Sequence, residues 1–512
     1  MAAEDVEASL PASEGSNGER ASSDHHSKHC SSKELPSDEV LDDRDAFKVA
    51  WTENDPRNPM NWSSLYRAWL AFQLAMLSFV GSFGASIMSP AQGQIAVYLH
   101  LPRDTAVLAV SLYVLGFAFG SMLWAPLAEV HGRKLSIIPA MFVAAMFEIG
   151  TATSTTAAAV FATRFLAGVF ASASISNTAA AIGDFYSARK RGIPMALMSI
   201  CIVGGPCLAP LVGASIAANS KMGWRWTAYM HAIMTLFLIG VSQLCLPETY
   251  HPVLLRREAR RLRKVTGDSR HWHPQEQEKI KLSNVVTKYI GRPGRMLFTE
   301  PMVACISVYA SYVFGLLFFL VQSFVVVFHD IRGYSIIVST LPFIGMLIGI
   351  FFALVINLAN QGPYAKAVSN NKGRPVPEAR LPPMLLGGVL FSTGMLFFGW
   401  TSGPQYHWIL PTIAAGFLGA GFNVVFQQCL NFLADTYGPY TASAMSVSTV
   451  LRSVLGCTLP LAAGPMFTAI GVGPGCSLLG GLSCLALPVP LIFMKYGLKL
   501  RKMSKFAPVP ED

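Results

Sequence analysis

The chain has 512 residues, of which 52% are hydrophobic and only 13% charged, and it carries a net charge of +10. Its apolar residues gather in blocks of about twenty rather than at helical or strand period, which excludes a soluble globular domain and makes it a polytopic membrane protein. The excess positive charge sits in loops on one side of those blocks, so it reads as a topology signal and not as a nucleic acid site.

In chain order, residues 1–60 read as a disordered acidic cytosolic tail: they are rich in Ser and carboxylates and hold no apolar stretch that would serve as a signal peptide. Twelve spans follow, at 68–90, 105–127, 135–154, 157–183, 192–218, 225–246, 301–328, 336–358, 383–401, 408–434, 441–469 and 474–495. They fall into a first six-span half (61–246), a basic linker (247–300), a second six-span half (301–496) and a C-tail (497–512). With both termini cytosolic, the inner loops carry Arg133, Lys134, Arg189, Lys190, Arg191 and the basic linker, whereas the outer loops hold only Arg103, Lys221, Arg225 and Arg332. The cysteines show no CxxC spacing and read as small packing residues, so no metal site or disulfide set is expected.

Between spans two and three stands PLAEVHGRK, residues 126–134. Glu129, Gly132, Arg133 and Lys134 there, with Asp184 at the inner end of span four, form a candidate conformational clasp. Arg133 is placed to pair with Asp184, and Glu129 to face a helix N-terminus, that of span eleven being expected. A plain basic loop is the alternative. In span four, Arg164 lies roughly 12 Å deep at 1.5 Å per residue, and an arginine at that depth needs a partner or water. Glu148 sits at similar depth on the antiparallel span three and either pairs with Arg164 or reaches for the surface; the two are the proton-coupling candidates.

Span five reads CIVGGPCLAPLVGASIAA from residue 201, with Pro206 and Pro210 one turn apart. Each proline removes a helical donor, freeing the carbonyls of Ile202 and Pro206, which lipid would not tolerate but a packed interface would. Cys201, Gly205, Ala209, Gly213 and Ala217 repeat every fourth residue and make a small-residue stripe for close helix contact. The linker opens with PETYHPVLL, and Arg256 to Lys264 follow, with Leu254, Leu255, Leu262 and Val265 near helical spacing. This predicts an interfacial helix on anionic cytosolic lipid that tethers the halves.

Candidates for a substrate cavity are Gln73, Tyr309, Tyr312, Phe319, Gln322, Asn423, Gln427 and the second buried arginine, Arg452. Amides, rings and an arginine without internal acids suit a neutral or anionic amphipathic molecule, although each aromatic alone reads more readily as packing. The halves share a register: GDFY at 183–186 and ADTY at 434–437 close spans four and ten, and Val203, Gly205 and Leu208 recur as Val454, Gly456 and Leu459. A duplicated six-span unit is what alternating access uses.

Together these motifs resemble the major facilitator superfamily, and within it the fungal 12-span drug:proton antiporters that include polyamine and multidrug exporters. The resemblance runs from about residue 50 to the C-terminus. It is carried by PLAEVHGRK, Arg164-Phe165-Leu166-Ala167-Gly168, the span-five pattern Gly205-Pro206-x-x-Ala209-Pro210-x-x-Gly213, Trp224-Arg225-Trp226, PETYHPVLL, LRSVLG around Arg452, and Ser504 to Pro508. It implies an all-α membrane protein with 12 transmembrane helices in two pseudo-symmetric six-helix bundles, no enzyme activity, and no cofactor beyond a proton gradient. It further implies a plasma-membrane proton antiporter exporting a drug-like compound or secondary metabolite as a monomer, with protons, the small-molecule substrate and membrane lipid as its only partners. By the resemblance, span five adopts antiport and packs against spans two and eight. Uptake by symport or facilitation, or polyamine export, are the alternatives. The chain departs from the family pattern in having Glu129 for the usual Asp, Val130 for a frequent Arg, and Ala209 and Ala214 for glycines.

Overall fold

The computed structural model describes residues 47–187, 190, 192–277, 291–371, 374–504 and 506. Most of the expected acidic tail, Arg189, Arg191, part of the linker and the last residues of the C-tail lie outside the described residues.

The helices that matter are α1 (Ser64–Phe83), α2 (Leu108–His131), α3 (Arg133–Thr153), α4 (Ala157–Phe185), α5 (Gly192–Ala217), α6 (Arg225–Cys245), α7 (Pro301–Val325), α8 (Pro342–Ala359), α9 (Leu381–Thr401), α10 (Ile409–Tyr437), α11 (Thr441–Ile470) and α12 (Val472–Met503). Eleven of these are long and apolar enough to cross a membrane, and α1 completes the set. The expected span at 68–90 is not one helix. α1 stops at Phe83, residues 84–88 form turns, and a short 3-10 turn (Ser89–Ala91) leads into a short helix (Gln92–Tyr98).

Local chemistry sets the ends. Ser63 accepts from the Tyr66 amide and Thr156 from the Ala159 amide, supplying two of the acceptors that helix starts lack. Pro301 and Pro342 open α7 and α8, where a missing N–H costs nothing. α2 and α3 are separated by Gly132 alone, at φ +102°, a conformation that a Cβ would strain.

Packing inside the first half pairs α1 with α5, α2 with α4, α3 with α4 and α3 with α6. Each pair recurs six helices later, as α7 with α11, α8 with α10, α9 with α10 and α9 with α12. The halves meet through α2 against α11 and α5 against α8, two contacts that exchange under the same shift. This is a two-fold arrangement of six-helix bundles. Glycine permits the tightest crossings: a side chain at Gly116, Gly120 or Gly168 would run into the facing backbone of α2 or α4, and Gly349 and Gly419 do the same between α8 and α10. α7 is enclosed almost all round, whereas α6 and α12 keep outward rows of Ile233, Phe237 and Leu244, and of Leu478, Leu482 and Leu485, suited to lipid.

Candidate functional site

Four helices of the first half converge on one buried cluster. Arg164 of α4 donates from Nη1 to Glu148 Oε1 of α3 at 2.6 Å, and both side chains are fully buried. Its other nitrogens are also used: Nε donates to the Ala109 carbonyl at 2.8 Å and Nη2 to the Gly84 carbonyl at 2.7 Å. The Tyr113 ring of α2 lies 4.3 Å from the guanidinium, adding a cation–π contact. Of the two readings of Glu148, the ion pair is the one found. A charge in hydrocarbon is tolerable only with such partners, so the pair explains how α3 and α4 keep ionisable groups at depth.

The fourth member is His231 of α6, which sequence reasoning passed over. Its Nδ1 lies 3.4 Å from Glu148 Oε1, and its Nε2 lies 3.0 Å from the Val80 carbonyl of α1. The ring covers Gly84, where any side chain would collide with it and with the Tyr113 hydroxyl.

Gly84 begins the break in span one, and that break answers the two prolines of α5. Ser86 Oγ donates to the Pro206 carbonyl at 2.7 Å, the same carbonyl that Pro210 cannot serve. Side chains at Gly205 and Gly213 would strike Ser82 and the Ile87 carbonyl. Ala209 is fully buried. The small-residue stripe therefore faces span one of its own half and not span two as expected. A repeating stripe specifies close approach, but the neighbour it meets is set by helix rotation. The expected neighbour span eight is found, on another face: Gly204 lies towards Leu347. From the same break, Ser89 Oγ donates to the Val321 carbonyl of α7 at 3.4 Å, across the halves.

On the face where α1 begins and α12 ends, here the terminal face, the clasp is assembled. Arg133 Nε pairs with Asp184 Oδ2 at 3.2 Å. The anion found at the start of α3 is Glu248, whose carboxylate accepts from the Arg133 amide at 2.8 Å and the Lys134 amide at 3.3 Å. That carboxylate fills the space where a Cβ of Gly132 would lie. Lys134 Nζ donates to the Gln243 carbonyl at 2.9 Å. Thr249 Oγ1 and the Arg133 guanidinium share Asp184 Oδ2, Tyr250 stacks 4.7 Å from that guanidinium, and His251 Nε2 lies 2.6 Å from the Asp184 carbonyl. PETYH is thus part of the clasp. Glu129 is half-buried at the end of α2. The second half repeats the device: Asp435 accepts from Arg380 Nε at 3.0 Å and from the Tyr364 hydroxyl at 2.8 Å.

The linker helix (His251–Thr266) buries Val253 and Ala259 against the protein, while Glu258 pairs with Arg57 at 2.5 Å. Leu254, Leu255 and Leu262 are half-buried and Val265 is exposed.

The cavity candidates separate. Tyr312 donates to the Leu479 carbonyl of α12 at 2.7 Å, and the Tyr309 hydroxyl fills the space beside Gly388 of α9. Phe319 is fully buried, edge-on to Phe467 of α11. These three rings pack their own half and are withdrawn from the cavity set, because each is turned towards a neighbouring helix of that half. Gln427 accepts from Asn357 at 2.8 Å. In contrast, the amides of Gln73, Gln322 and Asn423 are buried with nitrogen atoms that find no protein acceptor. Arg452 is half-buried, with its guanidinium 5.5 Å from the Phe314 ring and 5.3 Å from the Phe426 ring. No carboxylate reaches it among the described residues. On the distal face, a pocket of about 880 Å³ lies between the halves, lined by Gln322, His329, Pro460 and Gly464 and crossed by the Arg103–Asp330 ion pair at 2.9 Å. Among the described residues no cluster of His, Cys, Asp and Glu could hold a metal, and the eight described cysteines are free.

The family model of the Major Facilitator Superfamily matches residues 74–460. The chain is 35% identical over 486 residues to the major facilitator superfamily multidrug transporter FLU1 of Candida albicans, covering 94% of this chain and 79% of that one. It is 37% identical over 456 residues to the efflux pump bik6 of Gibberella fujikuroi, covering 89% and 94%. The solved partially occluded, inward-open xylose transporter XylE of E. coli superposes with a TM-score of 0.60 at 16% identity, over 85% of this chain and 98% of that one, a likeness of fold alone. The chain belongs to the major facilitator superfamily, among its fungal multidrug transporters and efflux pumps.

Proposed function

We propose that this superfamily member is a proton-coupled antiporter that exports a small organic molecule, drug-like or a secondary metabolite, across the plasma membrane by alternating access of its two halves. The terminal face is cytosolic in this reading, in line with the basic residues gathered there. The observation that carries it is the Arg164–Glu148 pair, an ionisable couple whose two members belong to one half and are fully buried there. A proton site and a cargo site that are separate in space can be coupled through a shared conformational change.

For the cargo, the unpartnered amides and Arg452 between two phenylalanine rings support an anionic or neutral amphipathic molecule. A polycation gains nothing from that set. The multidrug and efflux names of the relatives support export, as does the proline-glycine pattern of α5. The test is flux in proteoliposomes of the full chain under pH gradients imposed in either direction, with a fluorescein-type anion, an uncharged dye and spermidine as probes. Export predicts anion movement against the proton flow; movement with it identifies a symporter. In cells, deletion should raise accumulation of the anion, and lowered accumulation would overturn export.

A further inference from the structure

The four-helix cluster holds a second titratable side chain that the ion pair does not need. His231 Nε2 faces the Val80 carbonyl at 3.0 Å, and a carbonyl only accepts, so Nε2 carries the hydrogen. In the neutral ring Nδ1 then presents a lone pair, and what it presents it to is Glu148 Oε1, 3.4 Å away. Two lone pairs facing each other inside a fully buried cluster repel, unless a proton lies between them. Nδ1 has no other hydrogen-bond partner, and Glu148 Oε2 has none either. The Arg164 guanidinium places Nη1 on Glu148 Oε1, Nε on the Ala109 carbonyl and Nη2 on the Gly84 carbonyl, and it makes no hydrogen bond to His231 Nδ1.

We infer that Glu148 and His231 form one shared proton site, in which a single proton bridges carboxylate and imidazole and sets the position of the span-one break. Among the described residues, the charged and titratable groups facing it are Arg164 from α4 and Tyr113 from α2, with carbonyls from α1. Empty, the cluster is neutral, one arginine against one carboxylate. Loaded, it carries one net positive charge, and His231 competes with Arg164 for Glu148. Arg164 also holds the Gly84 carbonyl, and His231 lies on Gly84, so a change in that competition acts on the start of segment 84–91. That segment reaches α5 through Ser86 on Pro206 and α7 through Ser89 on Val321. One proton is thereby linked to the kinked helix and to a contact between the halves.

This rests on the antiport reading for its purpose but not for its chemistry. The experiment is infrared difference titration of the purified full chain in detergent, with ring-labelled histidine and the proton itself as ligand. The carboxyl band lost in Glu148→Gln and the imidazole band lost in His231→Gln should rise together at one midpoint, and His231→Gln should move the Glu148 midpoint by about one pH unit or more. Separate midpoints for those two bands in the unaltered protein would overturn the shared site, as would an unmoved Glu148 midpoint in His231→Gln. Reconstituted His231→Gln should lose the pH dependence of transport between about pH 5 and 8, and an unchanged pH profile would overturn the link from this site to transport. If the unaltered protein moves no probe under a pH gradient while the two bands still titrate together, the antiport reading fails and the proton site stands.

Discussion

Arg164 and Arg452 both stand well inside membrane-spanning helices, α4 and α11, and they are treated in opposite ways. Arg164 spends every nitrogen on its own half: a carboxylate, two carbonyls and a tyrosine ring enclose it completely. Arg452 has two phenylalanine rings and no carboxylate among the described residues. The first is a charge neutralised by the fold, and its partners decide what its neighbourhood can titrate. The second is a charge left for something outside the fold to meet. The contrast separates coupling from recognition within a duplicated scaffold.

The largest effect tests that contrast directly. Arg164→Met leaves the buried Glu148 without its arginine and the Ala109 and Gly84 carbonyls without their donor, so detergent-solubilised protein should lose about 3–5 kcal/mol of stability. Arg452→Met removes a charge without a protein partner and should be neutral or stabilising, while weakening binding of an anionic probe about tenfold or more. Equal thermal destabilisation of both variants would erase the distinction. Next, Gly205→Leu and Gly213→Leu should block transport, because their side chains would enter span one beside the Arg164 cluster, and Ala209→Gly should transport normally. Normal flux in both leucine variants would detach α5 from the mechanism. Smaller is Glu248→Gln, which keeps an acceptor but loses the charge at the start of α3; about 1 kcal/mol of stability should go, read as a melting shift. The smallest is Arg103→Ala: the exposed Arg103–Asp330 pair should contribute below about 1 kcal/mol, and its effect on flux should vanish in high salt.

Much of this was legible in the residues. Depth along two antiparallel helices was enough to bring Glu148 and Arg164 together, because rise per residue is a constant of the helix. The Arg133–Asp184 contact followed from two charges at one membrane face. Rotation about the helix axis was not legible, and the corrections to the cavity set and to the neighbour of the α5 stripe trace to it. Tyr309 and Tyr312 stand on the right helix but turn to α9 and α12, and the α5 stripe turns to span one. His231 was invisible because a lone histidine in an apolar helix carries no spacing signal, and its partner Glu148 lies three helices back in the chain, on α3. The break in span one hid behind continuous apolarity, since residues 84–91 are as apolar as a helix would be.

The Glu248 carboxylate at the start of α3 also bears on how the protein is made. The amides it serves lie 115 and 114 residues upstream, at Arg133 and Lys134. During synthesis α3 enters the membrane with its first turn unsatisfied, and it stays so until the ribosome has produced everything through α6 and the opening of the linker. A residue of the linker thus supplies the acceptor for a helix start inside the first half. A nascent chain halted before Glu248 holds all six helices and lacks the acceptor that closes them.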